Sequence, residues 1–261
     1  MIELAAVDVV FYPGTPDERT ALDRLDLTLE NGSFCVVVGT NGAGKSTLLN
    51  VLAGAVRPRT GRTVIDGTAV SSWPVHRRAQ WVSRVFQDPM VGTAPALSIE
   101  ENLAFAAMRG RRRGLRMALN PRNRAHFRDE LARFGLGLEN RMGAAAGLLS
   151  GGQRQVLALL MAALNRPRIL LLDEHTAALD PRTAQLVMEA TRRIVAEQRL
   201  TTLMITHNMA HALEYGDRLL MMECGRIKLD IGRDEKPRLT INDLVQRFGQ
   251  ADDQILLQAS A

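Results

Sequence analysis

Residues 34–47 read FCVVVGTNGAGKST, and this stretch decides the fold. Its first six residues are a continuous apolar run ending in glycine, the pattern of a strand buried on both faces. From Gly39 to Ser46 the chain fits G-x-x-x-x-G-K-[ST] in full. An apolar pattern with helical spacing follows over 45–53, so the motif has the strand before it and the helix after it that a phosphate-binding loop requires. Each residue type has a reason. The backbone of Gly39, Asn41, Gly42, Ala43 and Gly44 can wrap a phosphate with amides because the glycines permit the tight turn. Lys45 reaches the β- and γ-phosphates, the Ser46 hydroxyl ligates Mg²⁺, and Thr47 donates to the α-phosphate.

Outward from this loop, residues 2–10 and 25–29 alternate apolar and polar as half-buried strands do. Further strands are predicted at 63–66, 81–86, 169–173, 202–206, 218–222 and 226–230, with helices at 45–53, 181–197 and 209–215. Strand and helix interleave at the spacing of a parallel sheet with crossovers, an α/β core. Residues 97–165 differ. Their patterns are helical, Ser98 and Glu101 form a capping box, and Asn120-Pro121 opens another helix. The expected organisation is therefore a core over 1–96 and 166–238, a helical insertion over 97–165, and a short amphipathic helix with a frayed tail over 239–261.

Composition bounds the function. The 261 residues are 46% apolar, enough for one sizeable α/β domain. The net charge is +5, and all basic residues but Lys45, Lys228 and Lys236 are arginine. This balance points only weakly to an acidic partner. Eight arginines and no acid lie between residues 109 and 128. They read as a solvated face, or as a contact for lipid head groups, RNA or a partner chain. Cys35 and Cys224 are expected as buried thiols, which suits a reducing cytosol. The N-terminus has early acids and no basic run, unlike a signal peptide. No apolar run reaches the length of a membrane span, so action at a membrane needs another chain.

Four more constellations carry chemistry. ILLLDE, residues 169–174, is an apolar strand ending in two acids. Asp173 is placed to hold Mg²⁺ through water, and Glu174 to polarise an attacking water as general base. Gln87, in RVFQDP, follows a strand with an amide that can contact Mg²⁺ or that water. His207 closes TTLMIT, where it can donate a hydrogen bond to a γ-phosphate. His211 lies four residues on, a metal pair by spacing but without a third ligand. Finally LLSGGQRQ, residues 148–155, opens an apolar helix with a Ser150 N-cap and a Gln153 capping partner. Such a helix start receives anions, and it is a second anion site about a hundred residues after the first.

Taken in order, GTNGAGKST, Gln87, LSGGQ, ILLLDE, AALD (177–180) and His207 resemble an ABC-type ATPase cassette, from about residue 2 to residue 248. The resemblance implies a P-loop NTPase fold with a RecA-like α/β core, N-terminal antiparallel strands and an inserted α-helical subdomain. It implies ATP and Mg²⁺ as ligands, and a head-to-tail homodimer. In that dimer Ser150, Gly151, Gly152 and Gln153 of one chain cap the nucleotide held by the phosphate loop of the other. Asp180 would lie at the seam. Tyr12 would stack on adenine, with Phe11 as the neighbour that could serve instead. The family commonly has proline after its catalytic glutamate, where this chain has His175. That histidine is read as tolerating the same backbone, or as bonding across the dimer. DEHTAALD, RVFQDPMVGTAP and FYPGTPDERTAL further resemble the ATP-binding subunits of bacterial importers of tryptophan/tyrosine type or of uncharacterised substrates. Those work from the cytoplasmic face of the membrane with a separate permease and a solute-binding protein. The same engine drives exporters. Soluble members that act on nucleic acid usually carry two cassettes or a long coiled-coil insertion, so nucleic acid is not an expected partner.

Overall fold

The computed structural model describes residues 1–110 and 118–248. Part of the arginine-rich segment, 111–117, and the expected frayed tail, 249–261, lie outside the described residues. In chain order the first elements are β1 (Ile2–Phe11), β2 (Arg19–Leu29), β3 (Phe34–Gly39), α1 (Lys45–Ala53), β4 (Thr60–Ile65), β5 (Thr68–Ala69) and α2 (Val75–Arg78). Then come β6 (Val82–Val85), α3 (Pro89–Gly92), α4 (Ile99–Ala107), α5 (Pro121–Ala132), α6 (Gly151–Ala163), β7 (Ile169–Asp173) and α7 (Pro181–Gln198). The last are β8 (Thr202–Ile205), α8 (Met209–Glu214), β9 (Arg218–Glu223), β10 (Arg226–Ile231) and α9 (Ile241–Phe248). Two compact units divide the chain: Met1–Arg78 with Arg199–Ala261, and Ala79–Gln198.

The first unit holds the antiparallel sheet β2-β1-β4-β5 and the strand run β10-β9-β3-β8. β3 is central and parallel to both neighbours, with Val37 opposite Ile205 on one side and Leu220 on the other. All six of its residues are buried, as expected of a strand covered on both faces. Burial there pushes the Cys35 thiol up to about 12, so it is inert. Cys224 corrects the expectation of two buried thiols: it is exposed. It sits with Gly225 in the tight turn between β9 and β10, and both residues have positive φ, 48° and 77°. A two-residue hairpin turn of this kind points its side chains outward.

The second unit holds the parallel pair β6 and β7 with α3 to α7. Its helices close on a core of Ile99, Leu103, Phe127, Leu131, Leu157 and Leu160. The capping box at Ser98 forms, and Asn120 caps α5 with Pro121 inside its first turn. Two of the described arginines of the basic segment have local partners. Arg109 donates to the Ala162 carbonyl at 2.9 Å, and Arg124 to Glu100 at 2.8 Å. The first is an α-helix C-terminal cap and not a solvated face.

In the first unit Arg78 does the same for α1. It is almost fully buried, and its guanidinium donates to the carbonyls of Val51, Leu52 and Val70. Burial lowers its pKa to about 10, yet it stays charged at neutral pH. Cationic donors at a helix C-terminus satisfy carbonyls that have no intrahelical partner. Replacing Arg78 with methionine should cost roughly 2–4 kcal/mol, because the Leu52 carbonyl loses its Arg78 donor and the Val51 and Val70 carbonyls, which also accept from the Gly54 and Trp73 amides, lose their charged one. Urea unfolding checks this; an unchanged midpoint would remove Arg78 from the account of α1.

Candidate functional site

The phosphate-loop residues gather at the C-terminal end of β3. Gly39, Gly42 and Gly44 have φ of 152°, 83° and 99°. A Cβ on Gly39 would stand 2.2 Å from the Met222 carbonyl oxygen, and one on Gly44 2.4 Å from that of Ala21. Only glycine fits at either position. The Gly225 amide donates to the Ala43 carbonyl at 3.0 Å, so the β9–β10 turn buttresses the loop. Lys45 is buried and folds back on the loop, its Nζ donating to the carbonyls of Gly39 at 2.6 Å and Thr40 at 2.8 Å. Asn41, Gly42 and Ser46 are exposed, and Thr47 is half-buried.

His207 belongs to the same edge. β8 runs parallel to β3, and His207 lies two residues past its end, half-buried. Asn208 caps the short α8 by accepting from the His211 amide at 3.0 Å. His211 packs edge-on against Tyr215, with centroids 5.6 Å apart, and burial lowers its pKa. A cavity of about 640 Å³ in this unit is lined by Gly42 together with Val10, Arg19, Thr20, Arg59 and Cys224, among others. Tyr12 is not in its lining. It follows β1 in a turn at φ 53° and is 68% exposed. Phe11 ends β1 half-buried.

The second unit gathers the other residues. β6 and β7 are in parallel register, with Val85 opposite Leu172. Gln87, exposed, and the pair Asp173 and Glu174 therefore emerge from one strand edge. Glu174 has φ 46°, a left-handed backbone that costs a non-glycine residue energy and clusters at functional sites. The turn closes through the Ala177 amide donating to the Glu174 carbonyl at 2.9 Å.

The LSGGQ segment opens α6 as its residue types require. Ser150 accepts from the Gln153 amide at 3.3 Å, and the Gln153 side chain accepts from the Ser150 amide at 3.2 Å. The Gly151 and Gly152 amides fall in the first turn, where a helix offers no acceptor of its own. Ser150 and Gly151 are exposed. A Cβ on Gly152 would stand 2.1 Å from Thr183 Cγ2, so α6 begins hard against the start of α7. There Asp180 accepts from the Thr183 amide at 3.1 Å. The hydroxyl and amide of Thr183 hold the Asp180 carboxyl below its usual range. Ser150, the two glycines, Gln153 and Asp180 thus share one corner.

Two residues here escaped the sequence reading, Arg84 and Gln155, and a third, His175, was read without its partner. Arg84 pairs with Asp173. Gln155, fully buried, donates to the Phe86 carbonyl at 3.1 Å, tying α6 to the segment that carries Gln87. The doubled glutamine of GGQRQ was its only signal. His175 is 2% exposed, and its Nε2 lies 3.0 Å from Thr191 Oγ1. The Thr191 hydroxyl gives its single proton to the Val187 carbonyl at 2.9 Å, so His175 Nε2 is the donor in this pair. This hydrogen bond points inward, to α7.

A loop of this form, on a strand edge that continues into a helix, with an acid pair ending a second buried strand, defines a nucleotide-binding ATPase of the P-loop class. The comparisons narrow it. The family model described as ABC transporter matches residues 22–177. Over 253 residues the chain is 42% identical to the tyrosine transport ATP-binding protein of Clostridioides difficile, covering 96% of this chain and 100% of that one. It is 33% identical over 228 residues to the spermidine/putrescine import ATP-binding protein PotA of Lawsonia intracellularis, covering 87% of this chain and 57% of that one. A dimeric, post-hydrolysis structure of the ATP-binding cassette MJ0796, bound to ADP and Pi, superposes with a TM-score of 0.76 at 26% identity. It covers 89% of this chain and 99% of that one. This chain belongs to the ABC transporter family, as an ATP-binding subunit whose general activity is ATP hydrolysis coupled to transport. Among the described residues no helix is long and apolar enough to cross a membrane.

His175→Ala should lower the unfolding free energy by about 2–4 kcal/mol, since it opens a cavity and strips Thr191 of its donor. Thermal unfolding of His175→Ala beside Thr191→Val checks it. If both variants melt with the parent, the histidine is not part of the α7 anchor.

Proposed function

We propose that the chain is the ATPase subunit of a solute importer. In this reading it closes as a head-to-tail homodimer on ATP and drives a separate permease, with an aromatic amino acid or a similar solute as cargo. The relative named for tyrosine transport, matched over its whole length, supports the cargo class, and the one named for spermidine/putrescine import supports the direction. The observation that carries the dimer is the exposed start of α6. Ser150 and Gly151 face solvent beside Asp180, so an anion reaching them comes from outside this corner. A γ-phosphate shared between two chains explains why one chain has two anion sites.

The residues take these roles. The amides of Gly39, Asn41, Gly42, Ala43 and Gly44 cradle the phosphates. Lys45 leaves its carbonyl partners for the phosphate oxygens, and Thr47 supports the α-phosphate. Glu174 orients the attacking water and takes up its proton, and His207 donates to the γ-phosphate. Asp173, Ser46 and Gln87 bring a carboxylate, a hydroxyl and an amide, hard oxygen donors that suit Mg²⁺. When bound, Mg²⁺ draws charge from the phosphate oxygens. The fit is supported by Arg84, whose guanidinium already sits on Asp173 as a cation. For adenine the exposed Tyr12 has the ring and Phe11 is the alternative. The permease is assigned to the apolar side chains exposed near Gln87 and on α4, Met90, Val91 and Phe105.

The dimer is testable on the isolated chain. Glu174→Gln should retain ATP and elute at twice the parent mass; a monomer with ATP bound weighs against the shared site. Lys45→Ala should lose ATP binding by at least tenfold, since the phosphates lose their one buried cation. Mixing Ser150→Arg chains with Lys45→Ala chains should restore one composite site, read as recovered ATPase activity. For the transport role, mild-detergent capture from native membranes should bring down a multi-span permease and a solute-binding protein. Recovery of soluble proteins or RNA alone would overturn the importer.

A further inference from the structure

Asp173, at the end of β7, has a partner that no motif in the chain announces. Arg84 stands in β6 opposite Leu171 in parallel register. Side chains two apart on a strand share a face, so Leu171 and Asp173 lie on the side toward which Arg84 projects. The guanidinium reaches along that face, and its Nη2 donates to Asp173 Oδ2 in an ion pair. The two side chains are only 17% and 16% exposed. The same guanidinium lies over the Phe86 ring, 4.8 Å from its centroid, which fixes it from a second side. A charge-assisted pair this well covered escapes the screening that weakens surface pairs.

We infer that Arg84 is a positioning residue that occupies the Asp173 carboxylate until metal-bound nucleotide takes its place, and so sets the metal dependence of nucleotide binding. The inference rests on the reading of Asp173 as the acid of the metal site. Its physical content is a difference of sign. With Arg84 present, the carboxylate is neutralised and an approaching phosphate meets no bare negative charge. The same pair opposes the metal, which must exchange with a guanidinium to gain the carboxylate. Removing Arg84 therefore acts in opposite directions: metal-free nucleotide is repelled by an uncompensated carboxylate, and metal-bound nucleotide finds that carboxylate unopposed. A pair that merely tied β6 to β7 would, on loss, weaken both alike.

The test is binding of a fluorescent ATP analogue to the full chain, titrated in EDTA and at stepped Mg²⁺. Arg84→Met keeps the apolar length and removes the charge. Affinity in EDTA should fall, and the half-saturating Mg²⁺ concentration should also fall, by roughly tenfold, the low end of what second-shell partners of metal ligands contribute. Arg84→Lys keeps a charge and should stay near the parent in both arms, which keeps the inference testable where the methionine variant folds poorly. Equal weakening in both arms, or no change in either, overturns it. Asp173→Asn separates the two failures. If it leaves the parent's Mg²⁺ dependence intact, the metal-site reading fails and the inference with it. If it abolishes that dependence while Arg84→Met changes nothing, the inference alone fails.

Discussion

The phosphate loop depends on backbone packed against backbone at Gly39 and Gly44. A side chain at either would drive into a carbonyl oxygen, of Met222 in β9 or of Ala21 in β2. The loop is therefore held by two strands that are far apart in sequence. One is the parallel neighbour of the strand that feeds it, and the other belongs to the antiparallel sheet. The hydrogen bond from Gly225 to Ala43 adds the β9–β10 turn to the same support. Its conformation is thus fixed by packing before any ligand arrives, and Lys45 fills the loop's own carbonyls in the meantime. A preformed cradle orders few new groups on binding, so less of the interaction is offset by lost entropy.

The second unit applies the same economy at a helix start. Gly152 has no room for a side chain because Thr183 is already there, and Thr183 is held by Asp180. The first turn of α6 is therefore positioned by the first turn of α7. The capping box consumes the Ser150 and Gln153 amides, and the glycine amides between them keep the positive end of the helix available. Gln155 links this helix to the strand end that leads to Gln87. A shift at that amide would pull on α6 through a single buried hydrogen bond. The segment that carries Gln87 and the start of α6 are in mechanical contact for that reason.

What could be read from the chain was what local patterns encode. β3, α1 and β7 were legible to the residue, because each is apolar on every face or is punctuated by Gly-Lys and Asp-Glu. β2 begins at Arg19 and not at residue 25, since an irregularity in its pairing with β1 and a positive φ at Arg24 break the two-residue period. β4 starts at Thr60 with three exposed residues that carry no apolar signal. Of the candidate site, the loop, the acid pair and the LSGGQ start were all visible as spacing. The Arg84–Asp173 pair was not, because it is a relation across a strand register with no trace in either segment alone. Cys224 misled because apolar neighbours a few residues away outweighed the Glu and Gly that flank it in the turn.

Glu174 brings these threads together. Its left-handed backbone is unfavourable for a residue with a side chain, so it persists only if the neighbours hold it. On the N-terminal side is β7, buried and parallel to β6, with Asp173 clamped by Arg84. On the C-terminal side is His175, donating inward to Thr191 on α7. A proline at that position would restrict its own φ and that of the residue before it through the ring. Histidine leaves both free and substitutes a side-chain tether to a helix. The two devices differ in how they respond to motion of α7. Proline's restraint is covalent and indifferent to it, whereas the His175 tether moves with the helix. In this chain a displacement of α7 is therefore transmitted to the residue next to Glu174, and the geometry of the Glu174 backbone is coupled to the corner that holds Asp180 and the start of α6.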